Sequence, residues 1–391
     1  MKNFVFALYG LLILLIFACS KTDHAQEIEQ LIEDYRIQYA PDKRVAIWDI
    51  KVENDTLKGE TDQLQAFESF LAQLEEIPQQ FCSEVQVLPS VKLEGKTWAV
   101  VTISVANIRS QPKHSAELAT QALMGTPLKV LKGDGSWYLV QTPDDYISWV
   151  DQAGIQLMTE QELENWYAQS KVVFTPLTGH AWAEPEQKEM VSDLVAGNIL
   201  TVLSEKQNYL QVQLPDARKG WVPMDHLMSY EEWINSRETS NENLINTAKS
   251  MLGVPYLWGG TSIKGMDCSG FTKTIFYLNG QVIPRDASQQ IHEGEEVDIE
   301  KNWQNLQVGD LLFFGEKATE DRKERVVHVG MWIGNNEFIH SRGRVRISSF
   351  DPQSPHYDEY ELNRYLRTKR IVNQKSDGVL SVSEIIQPNK L

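Results

Sequence analysis

The chain has 391 residues, enough for two to four domains, and its 42% apolar and 23% charged content is ordinary globular usage, so a single small barrel and wholesale disorder are both excluded. Asp and Glu number 54 against 37 Lys and Arg, a net charge of −17 with no basic block, so binding to a nucleic-acid backbone would lack its electrostatic footprint. Three cysteines in a chain of this length cannot build the disulfide framework of a small secreted domain, and each needs its own explanation.

Lys2 precedes an apolar run, Phe4 to Ala18, that ends at Cys19 and gives way to Ser20-Lys21-Thr22-Asp23. A bilayer span needs about 20 apolar residues, so residues 1–19 read as a secretory signal. Cys19 directly after the run, in Ile16-Phe17-Ala18-Cys19, resembles the lipobox at which bacterial lipoproteins are cut and diacylated, although Phe17 departs from the small residue common there. The alternative is an ordinary signal peptide with a chance cysteine. The resemblance implies lipidation at Cys19 and an exported chain anchored to the cell envelope, facing the periplasm or the cell surface.

Residues 24–96 read as a small α+β unit, with a helix over Glu27–Tyr39, a strand over Arg44–Val52, a helix over Thr61–Glu75 and a strand near Val85–Leu88. Cys82 reads as buried packing, because free cysteine behaves as a small hydrophobe. Residues 97–160 change to short alternating runs split by Gly, Pro and Asp, the pattern of a small barrel. A shift of 72 positions superposes this stretch on residues 170–232 with nine identities, including Gly125 on Gly197, Pro143-Asp144 on Pro215-Asp216 and Trp149-Val150 on Trp221-Val222. That fixed offset is an internal repeat. An amphipathic helix carrying Leu244, Ala248 and Met251-Leu252 opens a further domain over 238–372. Residues 373–391 offer no sustained apolar face and read as a tail.

The chemistry concentrates in that domain. Gly253-Val254-Pro255-Tyr256-Leu257-Trp258-Gly259-Gly260 is followed by Asp267-Cys268-Ser269-Gly270-Phe271, which opens a helix through Leu278. Asp267 is placed to cap the helix, and the free amides and dipole of its first turn favour a thiolate at Cys268. Taken alone, Cys268 could equally be a small buried residue. Downstream, Val327-His328-Val329 and Ile339-His340-Ser341 sit on two strands joined by a turn at Gly334-Asn335-Asn336. A hairpin can bring both imidazoles to one face, one to reach the thiol and the other to orient the first ring, the logic of a nucleophilic triad. Zinc binding by Cys268, His328 and His340 does not suit their spacing or the helix-start position, since structural zinc motifs pair close ligands. The chemistry calls for no metal and no cofactor.

These residues resemble the NlpC family of bacterial cell-wall cysteine peptidases, papain-like enzymes that hydrolyse peptidoglycan stem peptides, over about residues 240–370. The resemblance implies Cys268 as nucleophile, His328 as general base and His340 as orienting residue. It also implies substrate contacts at Tyr256, Trp258, Asp267, Ser269, Arg285, Asp286 and Ser288. The two barrels resemble bacterial Src-homology-three-like domains, and a subgroup combining them with the peptidase trims muropeptides with a free N-terminal L-Ala. Tyr146 matches that subgroup's amine-gripping tyrosine on the first barrel, Asp286 its acidic partner, and Glu117 is a possible second carboxylate or else a solvated strand residue. Asp144 reads as ordinary turn chemistry. The implied architecture is multidomain, an α+β papain-like cysteine peptidase preceded by two small β-barrels and an N-terminal α+β unit. The implied activity is hydrolysis of the γ-D-glutamyl to L-diamino-acid bond, with peptidoglycan-derived peptides and the membrane as partners. Two other readings stand beside it: a wall-binding protein whose peptidase-like domain is inactive, and an amidase or acyltransferase on the same scaffold.

Overall fold

A computed structural model describes residues 26–78, 80–185 and 188–385. Lys2, the apolar run and Cys19 lie outside the described residues. Contacts divide the chain into a unit ending at Leu93 and a second beginning at Glu94.

In the first unit, helix α1 (26–39), strands β1 (Trp48–Glu53) and β2 (Thr56–Thr61), helix α2 (Leu64–Leu74) and strand β3 (Cys82–Val87) surround a core of Ile28, Trp48, Phe67 and Phe70. The sheet order is β1-β2-β3, antiparallel then parallel. Sequence reading overlooked β2, whose Thr-Leu-Lys-Gly-Glu-Thr carries only one buried apolar side chain. It also began the first strand at Arg44, which instead folds back on Asp42 in a turn, and placed Thr61 in a helix although it ends β2. Cys82 is exposed rather than buried, because β3 is an edge strand that pairs on one side only.

The second unit begins with two seven-stranded sheets. The first comprises β4 (Trp98–Val101), β5 (Val105–Arg109), β6 (Leu118–Leu123), β7 (Pro127–Asp134), β8 (Trp137–Gln141), β9 (Ile147–Asp151) and β10 (Ile155–Met158), ordered β10-β4-β7-β8-β9-β5-β6. After helix α3 (Glu160–Tyr167) come β11 (Lys171–Phe174), β12 (Thr178–Trp182), β13 (Met190–Val195), β14 (Ile199–Lys206), β15 (Tyr209–Gln213), β16 (Lys219–Pro223) and β17 (Leu227–Ser229), in the corresponding order β17-β11-β14-β15-β16-β12-β13. Each barrel breaks its ladder at two corresponding places, at Ile108/Arg109 and between Val130 and Lys132 in the first, and at Ala181/Trp182 and between Val202 and Ser204 in the second.

Helices α4 (Tyr230–Ser236) and α5 (Asn241–Ser250) lead into the last part of the unit. There the short β18 (Thr261–Ser262) and β19 (Gly265–Met266) precede helix α6 (Cys268–Leu278), β20 (Gln281–Val282), helix α7 (Ala287–Gln290) and β21 (Glu295–Asp298). Strands β22 (Leu311–Glu316), β23 (Arg325–Gly334), β24 (Glu337–Arg342) and β25 (Arg344–Ser349), helix α8 (Glu359–Asn363) and β26 (Tyr365–Arg370) complete a six-stranded antiparallel sheet, β21-β26-β22-β23-β24-β25. Helix α6 packs on it through Phe271 and Ile275, against Phe313, Val329, Met331 and Ile339. One helix laid across an antiparallel sheet is the papain-like arrangement anticipated from the sequence.

The described residues beyond Asn373, as far as Ile385, do not trail off as a tail. Strand β27 (Leu380–Ser381) pairs with β20, and helix α9 (Val382–Ile385) follows it. Val382 is buried with Trp166, Trp233 and Val282, so two apolar residues suffice where neighbouring elements supply the rest of the core. No helix among the described residues is long and apolar enough to cross a membrane.

Candidate active site

Cys268 begins α6, and Asp267 caps that helix by accepting from the Gly270 N–H at 2.7 Å. The same carboxylate accepts from Gly259 N–H at 2.9 Å, from Ser269 Oγ at 3.3 Å and from Arg285 at 2.6 and 3.2 Å. A buried carboxylate with this many donors is rigid, and so is the helix start it caps. The close fit extends to Gly270, where a Cβ would stand 2.0 Å from the Gly260 carbonyl oxygen.

Across the groove, His328 on β23 and His340 on β24 meet through the hairpin, His328 Nε2 lying 2.7 Å from His340 Nδ1. Gly334, Asn335 and Asn336 all adopt positive φ, which closes the turn and sets this register. The Cys268 sulfur accepts backbone N–H bonds from Ser269 and from Val329, the neighbour of His328. Strand β23, which carries His328, therefore packs against the start of α6 through Val329.

The first barrel forms a wall of the same site. Tyr146 donates its hydroxyl to Asp286 Oδ2 at 3.3 Å, and Trp258 Nε1 donates to Glu117 Oε1 at 2.6 Å. Below them, Gln121 holds Thr261 and Ser262, and the Asp144 carboxylate accepts from Lys273 at 2.6 Å. Asp144 is thus no solvated turn residue: its side chain is 4% exposed and its charge ties the barrel to α6.

The NlpC/P60 family model matches residues 253–370, and the bacterial dipeptidyl-peptidase Sh3 domain matches 108–155 and 182–227. A gamma-D-glutamyl-L-lysine dipeptidyl-peptidase of Bacillus cereus is 35% identical over 261 residues, covering 64% of this chain and 76% of that protein. This chain belongs to the NlpC/P60 family of cysteine peptidases. Dipeptidyl-peptidase 6 of Lysinibacillus sphaericus is 28% identical over 272 residues, 66% of this chain and 94% of the relative. The crystal structure of an NlpC/P60 family protein from Bacillus cereus aligns with a TM-score of 0.59 at 28% identity, covering 70% of this chain and 99% of that one.

Within this NlpC/P60 site the electrostatics differ from the sequence expectation. A thiolate at Cys268 was expected from the helix terminus, yet the thiol is pushed up to about 12, first by burial and then by the Asp267 charge. The capping carboxylate occupies the same helix end and opposes the dipole. Burial holds the His328 imidazole well below its ordinary value, helped by His340 and by the Arg364 and Arg342 guanidinium groups. Burial likewise takes His340 down to about 3, with Arg346 and Arg342 adding to the effect. Burial thus disfavours a thiolate at Cys268 and an imidazolium at His328 or His340.

The anticipated substrate residues divide into three sets. Tyr256 is half-buried, and the closeness of Cys268 and Asp267 adds to the burial that raises its phenol. Trp258 stands 63% exposed at the rim, while Asp286 and Ser288 are half-buried at α7. Asp267, Ser269 and Arg285 lie inside the fold. Arg285 is only 1% exposed and its Nη atoms are spent on Asp267 and Ser269, so it braces the helix start instead of contacting substrate. Its residue type and spacing could not reveal which way the side chain turns.

His328, His340 and Glu361 present ligand atoms within 4.8 Å of one another. Arg364 and Arg342 already neutralise Glu361, and the two imidazoles spend their facing nitrogens on each other, so the donor set does not suit a cation. Sequence reading missed Gln121 and Lys273, whose partners lie on distant elements, and Ser348 and Asp358, whose side chains meet across the adjacent β25 and the start of α8. Only Asp358 carries a local signal, as the cap of α8, where it accepts from the Glu361 N–H at 3.1 Å.

Proposed function

We propose that this peptidase hydrolyses the γ-D-glutamyl to L-diamino-acid bond of peptidoglycan stem peptides that bear a free N-terminal L-Ala. The observation that carries the reading is the Tyr146–Asp286 contact, which joins a barrel tyrosine to a peptidase carboxylate beside the helix that starts at Cys268. An ammonium group fits there by charge pairing and by the aromatic face. Glu117, held by Trp258 at the rim, adds a second carboxylate on the barrel side. The names of the dipeptidyl-peptidase relatives support the bond, and the match of this chain's own barrels to the bacterial dipeptidyl-peptidase Sh3 domain supports the same reading.

In this reading His328 takes the Cys268 proton as the sulfur attacks the γ-carbonyl carbon of D-Glu. Starting from a neutral pair, proton transfer and attack proceed together, with His328 as general base. Backbone N–H groups at the start of α6 and the Tyr256 hydroxyl stabilise the oxyanion. Collapse breaks the C–N bond, and the imidazolium gives its proton to the departing amine of the diamino acid. Water, deprotonated by His328, then cleaves the thioester, releases L-Ala-γ-D-Glu and regenerates the thiol.

Measuring kcat/KM on L-Ala-γ-D-Glu-diaminopimelate and on its N-acetylated form tests this function. A closed acidic pocket left with unpaired groups should reject the blocked amine by up to about 10⁴-fold. Activity should vanish in Cys268→Ala and persist in Cys82→Ser, whose thiol is exposed on the other unit. Comparable rates on the two peptides would reject the amine clamp and point to an endopeptidase of intact wall.

The same reading includes export and lipidation at Cys19, supported by the apolar run before it, with domains at 24–96, 97–160, 170–232 and 238–372. The matching strand orders support an internal repeat of the two barrels. Metabolic labelling with a palmitate analogue should mark the chain and not Cys19→Ala; an exported but unlabelled chain would leave an ordinary signal peptide.

A further inference from the structure

His340, the third member of the proposed triad, is neither at the end of the polar chain nor fixed in tautomer by itself. His340 Nε2 lies 3.0 Å from Ser348 Oγ, and that hydroxyl donates to Asp358 Oδ2 at 3.1 Å. All three side chains are buried, His340 at 0%, Ser348 at 2% and Asp358 at 8% exposure. We propose that Ser348 and Asp358 are positioning residues that fix the proton of His340 on Nε2, which turns the basic nitrogen of His328 toward Cys268. The proposal rests on the reading of His328 as the general base.

Two proton arrangements satisfy the chain. In the first, Asp358 accepts from Ser348, Ser348 accepts from His340 Nε2–H, and His340 Nδ1 accepts from His328 Nε2–H. His328 Nδ1 then carries a lone pair and can take the thiol proton. In the second the imidazole contacts are reversed: Ser348 donates to His340 Nε2 and so gives up its bond to Asp358, His340 Nδ1–H donates to His328 Nε2, and His328 Nδ1 carries a hydrogen and cannot act as a base. A carboxylate can only accept, so Asp358 selects the first arrangement.

Arg346 opposes this choice weakly. Its Nε–H points at His340 Nε2 from 3.4 Å, but its Nη2 is drawn to Asp358 at 3.1 Å. The other charged groups around Asp358 are Arg342 at 3.6 Å, Glu361, which shares the α8 cap, and His356 on the preceding turn, which lines the same cleft. Around His328 they are Glu361 at 4.0 Å, Arg342 and Arg364. The guanidinium groups discourage a proton on either imidazole, so the network changes tautomer without changing charge.

The test uses the full chain labelled with ¹⁵N-histidine, together with Ser348→Ala, Ser348→Thr and Asp358→Asn. Asn retains a capping oxygen for α8, so the last variant removes the charge and spares the helix start. In the unaltered chain the nitrogen shifts should place the His340 proton on Nε2. In Ser348→Ala and Asp358→Asn the Nδ1–H form should grow, kcat on the tripeptide should fall about ten- to a hundredfold with KM unchanged, and Ser348→Thr should restore both. An unchanged tautomer in the two variants, or a loss confined to KM, would overturn the proposal. The nitrogen shifts decide it even if the tripeptide is not cut at all, an outcome that would instead remove the proposed substrate.

Discussion

A buried imidazole that stays neutral links this site to stability as well as to chemistry. His328 and His340 titrate below their ordinary value of 6.5, His340 at about 3, whereas in the unfolded chain both titrate normally. As pH drops below 6.5 the unfolded state binds protons that the folded state refuses, so the stability these residues contribute is present above 6.5 and is lost on acidification. The melting temperature should fall between pH 7.5 and 5, before most carboxylates titrate, and the fall should shrink in His340→Asn. A flat Tm over that interval would contradict neutral burial. The same desolvation disfavours the Cys268 thiolate and so slows adventitious oxidation, because the thiolate is the reactive form.

At the scale of elements, the decisive piece is the start of α6. Five donors converge on Asp267, and the strongest is Arg285, whose side chain is 1% exposed. Removing one partner of a buried pair leaves an uncompensated charge and costs about 3–5 kcal/mol. Arg285→Ala should therefore lower unfolding free energy by about that amount in urea titrations, and at permissive temperature it should depress kcat because the cap that aims Cys268 loosens. A variant as stable as the parent would mean that water replaces the guanidinium. The hairpin of β23 and β24 is the complementary element. Its turn of Gly334, Asn335 and Asn336 was legible in the sequence because those residue types are the ones that accept positive φ.

For the whole molecule, the barrel and the peptidase act as one body around the groove. Gly259 shows how tightly they fit: it sits at φ +79°, and a Cβ there would stand 2.1 Å from the carbonyl oxygen of Leu118 on β6. Gly259→Ala should push the barrel away from the loop. Because a displacement of about 1 Å can cost about 10²-fold in rate, kcat/KM for the free-amine tripeptide should fall by about that factor. The rate on the N-acetylated peptide, which makes no use of the barrel wall, should change little. Equal losses on both peptides would indicate damage to the α6 start instead.

The sequence by itself determined the catalytic chemistry, because a capped helix start and a two-histidine hairpin are local patterns whose side-chain directions follow from helix and strand periodicity. It also determined the two barrels, through a fixed offset of matching residues. It missed β2 and the ordered segment after Asn373, where a few apolar residues become core only because distant elements cover them. What only the tertiary structure decided is where the long polar side chains turn and how dry the site is. Arg285 faces inward to Asp267, Asp144 binds Lys273, and Ser348 and Asp358 join His340, all pairings across chain distances that no local periodicity encodes. The protonation of Cys268 belongs to the same class: a helix terminus predicts a thiolate, and burial, which is a property of the assembled fold, reverses it.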